Sequence, residues 1–308
     1  MAVESPIGQT QGMPVRGAPR NGYAAPTPLA RLLSGQWMAS MRMRTSPGAR
    51  LDLRYGLRLR NRLDYFPARH PGPVLVLLAS SYDEPASKDE FAFVAAGLLA
   101  HGIHVAVVDT SQAPGQTLAG MSAESQAALR WVGQRAQRFG GDVRRLLICG
   151  WGAGAPAAAL CLDLPGVLGG LAVSGVYDLA ALRREPAAAA WCVDGHDVLS
   201  LSPRRLGPSP RPLMLAYGSA DPTLMRDEAQ RFAAWRAGMP GGVLCVPGGD
   251  RHDLLLSLAD PSSTLVAHLC ALFATGGASP VHAGRGPWGR ALWYRPDQGV
   301  VADGTTAG

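Results

Sequence analysis

Six short runs rich in Val, Leu and Ile recur through the middle of the chain: VLVLLA (74–79), HVAVVD (104–109), RLLICG (145–150), GLAVSG (170–175), PLMLAYG (212–218) and VLCVPG (243–248). They are near-continuously apolar, so each strand requires cover on both of its faces. Helical stretches separate them, around 89–101, 121–139, 153–162, 226–237 and 261–274. Doubly covered strands alternating with helices predict an α/β fold: a mostly parallel, doubly wound sheet with helices on both faces. A further pair near 51–66, LDLRYG and RNRLDYF, alternates polar with apolar and predicts an antiparallel edge.

The pattern places one domain over 51–275, between a basic arm (1–50) and a Gly-rich tail (276–308). Residues 1–26 read as disordered from their Gly, Pro and polar content. From Pro28, Leu29, Leu32, Leu33, Trp37 and Met41 follow at roughly helical spacing, with Gly35 interrupting them. In the tail, Trp288, Trp293 and Tyr294 are the residues able to dock. The net charge of +6 comes from residues 1–70, where eleven arginines stand against Glu4, Asp52 and Asp64. These arginines lie among Pro, Gly and Ala without interleaved aromatics, so no nucleic-acid partner is expected. No apolar run reaches the roughly eighteen residues of a membrane span, and the N-terminus holds no secretory apolar stretch. The expectation is a soluble, cytoplasmic protein without a membrane partner, acting on a small molecule and free to self-associate. Cysteines 149, 161, 192, 245 and 270 form no C-x-x-C pair and sit beside apolar neighbours, which predicts small core residues rather than a disulfide framework. The seven histidines show no metal-ligand spacing. Neither a metal nor a cofactor is expected.

The chemistry-bearing stretch is LLICGWGAGAPA, 146–157. It has the frame of a G-x-S-x-G nucleophile elbow, the strained strand-to-helix turn that exposes a catalytic serine. Gly150 and Gly154 hold the outer places, but Gly152 stands where the serine belongs. Glycine suits the unusual backbone of such a turn and has no side chain to form an acyl-enzyme. The rival reading of a Gly-rich cluster, a dinucleotide site, is opposed by its place after the third major strand and by the next strand's ending in Ser174-Gly175 rather than an acid.

Over 51–275 the chain resembles an α/β-hydrolase of the arylformamidase (kynurenine formamidase) and small carboxylesterase type. LDLRYG and RLDYF resemble that family's entry strands. VLVLLASSYDEPASKDEF stands where the family has a strand, His-Gly-Gly-Tyr-Trp and a Lys-Asp pair. HGIHVAVVDTSQAP, FGGDVRRLLICGWGAGA, SGVYDLAAL and SLSP follow in the family's order. The departures fall at the chemistry. Gly152 replaces the nucleophile, Trp151 replaces a histidine, and Ala79-Ser80-Ser81 replaces the oxyanion-loop His-Gly-Gly, with Tyr82 kept. The resemblance implies Asp221 of AYGSADPT as the triad acid and His252 of GGDRHDLL, in the loop after the last strand, as the base.

Asp221 also suits a cap for a helix near Arg226, and His252 a plain polar loop residue, with Asp250 and Asp253 as competing partners. His101 and His104 read as structural, and Ser80 and Ser81 as loop serines serving backbone groups. Three functions stay open. The first is a non-standard enzyme in which Asp221 orients His252 as general base for cyclisation, elimination, epimerisation or water-mediated hydrolysis. In that reading the lost serine leaves room for about one water, and amides near Ala153 and Ser80 stabilise an oxyanion. The second is a pseudoenzyme that binds a small molecule or a partner protein. The third is a hydrolase with a nucleophile relocated to Ser174, Ser219 or Cys149.

Overall fold

The computed structural model describes residues 28–82, 86–112, 115–185, 191–274, 292–295 and 299–302. The chain divides into two compact units, Met1–Gly35 and Gln36–Gly308. The described part of the first is the opening of helix α1 (Pro28–Arg44), which runs through Gly35 without a break.

The second unit is built on a mixed, mostly parallel sheet with helices on both faces. Its strands are β1 (Arg50–Arg54), β2 (Arg62–Phe66), β3 (Gly72–Ser80), β4 (His104–Val108), β5 (Gly141–Gly152), β6 (Val167–Val173), β7 (Leu213–Gly218), β8 (Gly241–Val246), β9 (Leu292–Arg295) and β10 (Gly299–Ala302). They lie in the order β1-β2-β4-β3-β5-β6-β7-β8-β9-β10. Strands β4, β3, β5, β6, β7 and β8 are parallel neighbours, and all six were legible as apolar runs. The alternating pair forms the expected antiparallel edge, β1 on β2 and β2 on β4. At the other edge β9 runs antiparallel to β8 and carries Trp293 and Tyr294 of the tail, whereas Trp288 lies outside the described residues, as do residues 1–27.

Successive residues of each strand face opposite layers. On β3, Val74, Val76 and Leu78 pack beneath α4 (Leu118–Arg135), α5 (Gly154–Leu160) and α8 (Thr223–Trp235). Leu75 and Leu77 pack against α3 (Ala95–Leu99), α9 (Arg251–Ser257) and α10 (Thr264–Ala274) on the other side. The helix expected over 89–101 is two short pieces, α2 (Lys88–Phe91) and α3, joined by a tighter turn at Ala92–Val94. Two further helices, α6 (Leu179–Leu182) and α7 (Gly195–Leu201), join the α4 side. Cys149 and Cys161 are buried in the core as expected, but Cys192 is exposed and Cys245 and Cys270 are half-buried.

An ion cluster ties α1 and α2 to the β1–β2 edge. Lys88, the one lysine of the sequence, is 4% exposed and reaches Asp52 at 2.8 Å, Asp64 at 2.9 Å and Asp89 at 2.7 Å. Arg44 of α1 pairs with Asp64 and Asp89. Asp64 is fully buried, so its charge is tolerable only because both cations meet it. Asp52 stands at φ +55°, where the β1 register shifts, and its own N–H donates to Asp64 at 2.9 Å.

Candidate functional site

The elbow turn is formed. Strand β5 ends at Gly152, Ala153 follows in helical conformation, and α5 begins at Gly154. Close approach fixes the outer glycines: a Cβ on Gly150 would lie 2.3 Å from the Gly154 carbonyl oxygen, and one on Gly154 2.0 Å from that of Leu78. Gly152 itself sits at φ +59°, a backbone conformation that disfavours every other residue type.

What faces Gly152 differs from the expectation of an open site. Strand β3 keeps pairing with β5 to the end, with Ala79 opposite Trp151 and Ser80 opposite Gly152. The Ser80 carbonyl oxygen would stand 2.5 Å from a Cβ at 152. The same oxygen accepts the N–H of Ala153 at 2.7 Å. Two expectations are corrected here. No water-sized space replaces the serine at its Cβ, because the Ser80 carbonyl fills it. Nor is the Ala153 amide free for an oxyanion, because that carbonyl already accepts its proton. Both follow from the missing Cβ, which lets the two strands close on each other. The loop beyond Ser80 is anchored too: Tyr82 accepts the indole N–H of Trp191 at its carbonyl (3.1 Å) and the N–H of Val176 at its hydroxyl (3.4 Å). Ser80 and Ser81 are both buried, and Ser80 Oγ has no hydrogen-bond partner among the described residues.

Asp221 lies in the turn from β7 to α8, 3% exposed. One of its carboxylate oxygens accepts the Ser174 hydroxyl (2.7 Å) and the Gly218 N–H (2.8 Å), and the other accepts the Arg251 N–H (2.7 Å). It does not cap α8, which starts after Pro222 without a side-chain cap. Burial pushes its pKa up, against the three hydrogen bonds, which hold the charged form.

His252 is not in a loop but in the first turn of α9, whose capping box is Asp250 with Asp253. The expected hydrogen bond between Asp221 and His252 is not made. The carboxylate nearest the His252 ring among the described residues is Asp250, at 3.8 Å from Nδ1, too long for a hydrogen bond. Both acids that compete for His252 are committed to capping: Asp250 accepts the N–H groups of His252 and Asp253, and Asp253 accepts that of Asp250. Burial, then the neighbouring Arg251 charge, lowers the pKa of His252, which favours the neutral ring.

Trp151 joins the elbow to α9. Its indole N–H donates to the Arg251 carbonyl at 2.7 Å, and its ring centroid lies 5.4 Å from that of His252 and 5.7 Å from that of Phe91. The Arg251 guanidinium stands 5.9 Å from the same ring, at the outer limit of a cation–π contact.

Neither a protein-family model nor a curated protein sequence matches the chain. Solved structures do. A candidate thioesterase from Silicibacter sp. superposes with a TM-score of 0.70 at 21% identity, over 80% of this chain and 96% of that one. Esterase B from Lactobacillus rhamnosis gives 0.64 at 16% identity, over 81% and 92%. Esterase LipW from Mycobacterium marinum gives 0.62 at 20% identity, over 80% and 88%. The chain has the α/β-hydrolase fold. At these identities the likeness concerns architecture and leaves activity to the site itself.

Within that fold the relocated nucleophiles fare poorly. Cys149 is fully buried in β5 with its thiol pushed up to about 12 by burial, so no thiolate forms at neutral pH. Ser219 accepts the N–H of Gly248 at 2.7 Å and ties two loops together. Ser174 is fully buried but unusual: it stands at φ +51° at the end of β6 with its hydroxyl on Asp221. That strained serine and the Arg251 amide are the partners of Asp221 that the sequence concealed. The only hint was that Ser174-Gly175 ends a strand at the level of the elbow. His104 is structural as expected, with Nδ1 accepting the Ala68 N–H and Nε2 bonded to the His70 carbonyl. Among the described residues no group of three or more His, Cys, Asp and Glu is arranged to hold a metal, and no helix is long and apolar enough to cross a membrane.

Proposed function

We propose that this α/β-hydrolase-fold protein has given up acyl transfer and acts as a pseudoenzyme, binding a small molecule or a partner protein without ester turnover. One observation carries the reading. The Ser80 carbonyl occupies both the space of a nucleophile's Cβ at 152 and the hydrogen bond of the Ala153 amide. A nucleophile and an oxyanion donor are the two largest contributors to acyl transfer in this fold, and one oxygen atom closes both positions. Asp221 has turned from orienting a histidine to clamping Ser174, Gly218 and the start of α9.

The test is labelling by a serine-directed fluorophosphonate, with p-nitrophenyl acetate hydrolysis measured alongside. The wild type is expected to take up no label and to hydrolyse the ester no faster than its His252→Ala variant. Stoichiometric labelling abolished by Ser174→Ala would overturn the reading in favour of a relocated serine.

A second reading rests on His252, whose pKa burial lowers and whose side chain keeps 22% of its surface exposed. It is a non-standard enzyme in which His252 takes a proton from a bound substrate, without help from Asp221. A turnover that His252→Ala removes while Asp221→Asn spares would favour it over the pseudoenzyme.

A further inference from the structure

The hairpin between β1 and β2 ends in Gly56-Leu57-Arg58-Leu59-Arg60 and carries the two most exposed large apolar side chains among the described residues. Leu57 is 96% exposed and Leu59 82%. Scattered exposed leucines are ordinary, but these two share one well-braced tip. Asn61 Oδ1 accepts the Arg58 N–H at 3.1 Å, the Arg58 carbonyl accepts the Asn61 N–H at 3.0 Å, and the Tyr55 N–H donates to the Asn61 carbonyl at 3.0 Å. The Tyr55 hydroxyl then bonds the whole tip to the Asp109 carbonyl at the end of β4. Such bracing holds the leucines out in water.

Around them stand Arg54, Arg58, Arg60 and Arg62. Among the described residues, Asp52, with its side chain 48% exposed, faces Arg62, and the carboxylates paired with Arg58 and Arg60 lie behind them. Glu124 (3.5 Å from Arg58) and Asp109 (2.8 Å from Arg60) have side chains only 11% and 12% exposed, whereas that of Arg58 is 58% exposed. At the tip the outward face is therefore two leucines with the exposed Arg58 guanidinium between them. Residues 1–27 hold Arg16 and Arg20 against Glu4, residues 275–291 hold Arg285 and Arg290 with no acid, and the whole chain is +6. Neither segment, nor a second copy, brings the complementary charge.

We propose that this tip is a peripheral docking element for an anionic lipid surface. Leu57 and Leu59 enter the boundary between headgroups and acyl chains, and the arginines settle among the phosphates with their stems along the lipid. A convex tip needs no matching pits in its partner, which a fluid bilayer provides and a folded protein surface does not. Two leucines and a few cations give weak, reversible attachment, and attachment of this kind needs no membrane-spanning helix. The inference is independent of the chemistry at the elbow.

The experiment is co-sedimentation of the full chain with vesicles of phosphatidylcholine, alone or with about one third phosphatidylglycerol. Wild type is expected to pellet only with the anionic vesicles and to be released at about 1 M salt, where charges are screened beyond about 3 Å. The double variant Leu57→Ser, Leu59→Ser should bind roughly tenfold more weakly. Arg58→Ser should bind several-fold more weakly, and the double leucine variant should unfold at the wild-type temperature because both altered side chains face solvent. Trp37→Ser with Met38→Ser, an exposed apolar pair on α1, should bind as wild type. No wild-type sedimentation, equal sedimentation with neutral vesicles, or a loss confined to the α1 variant would each overturn the proposal. The first result would leave the tip to a protein partner.

Discussion

A methyl group placed on Gly152 meets two separate obstacles. At φ +59° an L side chain costs about 1–2 kcal/mol by itself. The new Cβ would also stand 2.5 Å from the Ser80 carbonyl oxygen and 3.8 Å from Ser81 Cα. That carbonyl belongs to the backbone of a central strand pair and cannot swing aside as a flexible side chain would. To yield, it must release the Ala153 N–H, and a buried donor left without an acceptor costs about 1–3 kcal/mol. Gly152→Ala is therefore expected to lose about 2–5 kcal/mol, a large part of the roughly 5–15 kcal/mol that holds a domain together. Gly152→Ser should lose a similar amount, since the Cβ and not the hydroxyl causes the conflict. Urea unfolding of both variants measures the loss, and hydrogen exchange at the Ala153 amide reports whether its bond to Ser80 has opened. A loss below about 1 kcal/mol would refute the reasoning. So would fluorophosphonate labelling of Gly152→Ser, because the Ser80 carbonyl would then be moving away freely and the oxyanion position would be latent rather than closed.

Removing Lys88 tests the ion cluster. Lys88→Met leaves Asp52, Asp64 and Asp89 with Arg44 alone, and breaking a buried pair in this way costs about 3–5 kcal/mol in urea unfolding; a loss within about 0.5 kcal/mol would put the cluster among ordinary surface pairs. Asp109 carries a pH dependence of known sign. Burial raises its pKa to about 6 against the salt bridge from Arg60, so its contribution to stability is fullest below about pH 4 and is lost as pH rises through about 6. The stability of Asp109→Asn relative to wild type should therefore rise by on the order of 2 kcal/mol between about pH 4 and pH 7. A pH-independent difference between the two would show the assignment to be wrong.

The central sheet was legible because six strands buried on both faces leave six apolar runs, and nothing else in a chain of this composition does so. The elbow was legible from the G-x-G-x-G spacing itself, although the contacts that demand it lie with α5 for Gly150 and with Leu78 of β3 for Gly154. What lay hidden depends on main-chain direction. Nothing in Ala79-Ser80-Ser81 says which way the Ser80 carbonyl turns, yet that one oxygen decides the state of the site. The pairing of Asp221 with His252 failed for a related reason. Their places along the chain fit a dyad, but a seven-residue helix starts at Arg251 and presents its backbone N–H to Asp221 before the imidazole can arrive. That helix announces itself only through Asp250 and Asp253, which in sequence read equally as rival partners for the histidine and are in fact the helix's capping box. At the sheet's far edge, four-residue strands such as β9 are too short for periodicity to register.

The placement of Lys88 has a consequence for handling the protein. Every other basic side chain in these 308 residues, histidines aside, is an arginine, and the single lysine lies at 4% exposure beneath three carboxylates. The folded surface therefore offers almost no primary amine. Amine-reactive dyes, ester crosslinkers, acetylation and isopeptide tagging have little to attack while the fold is intact, whereas arginine-directed dicarbonyls find many targets. Reactivity of Lys88 towards an amine reagent becomes a direct gauge of how often the β1–β2 edge opens.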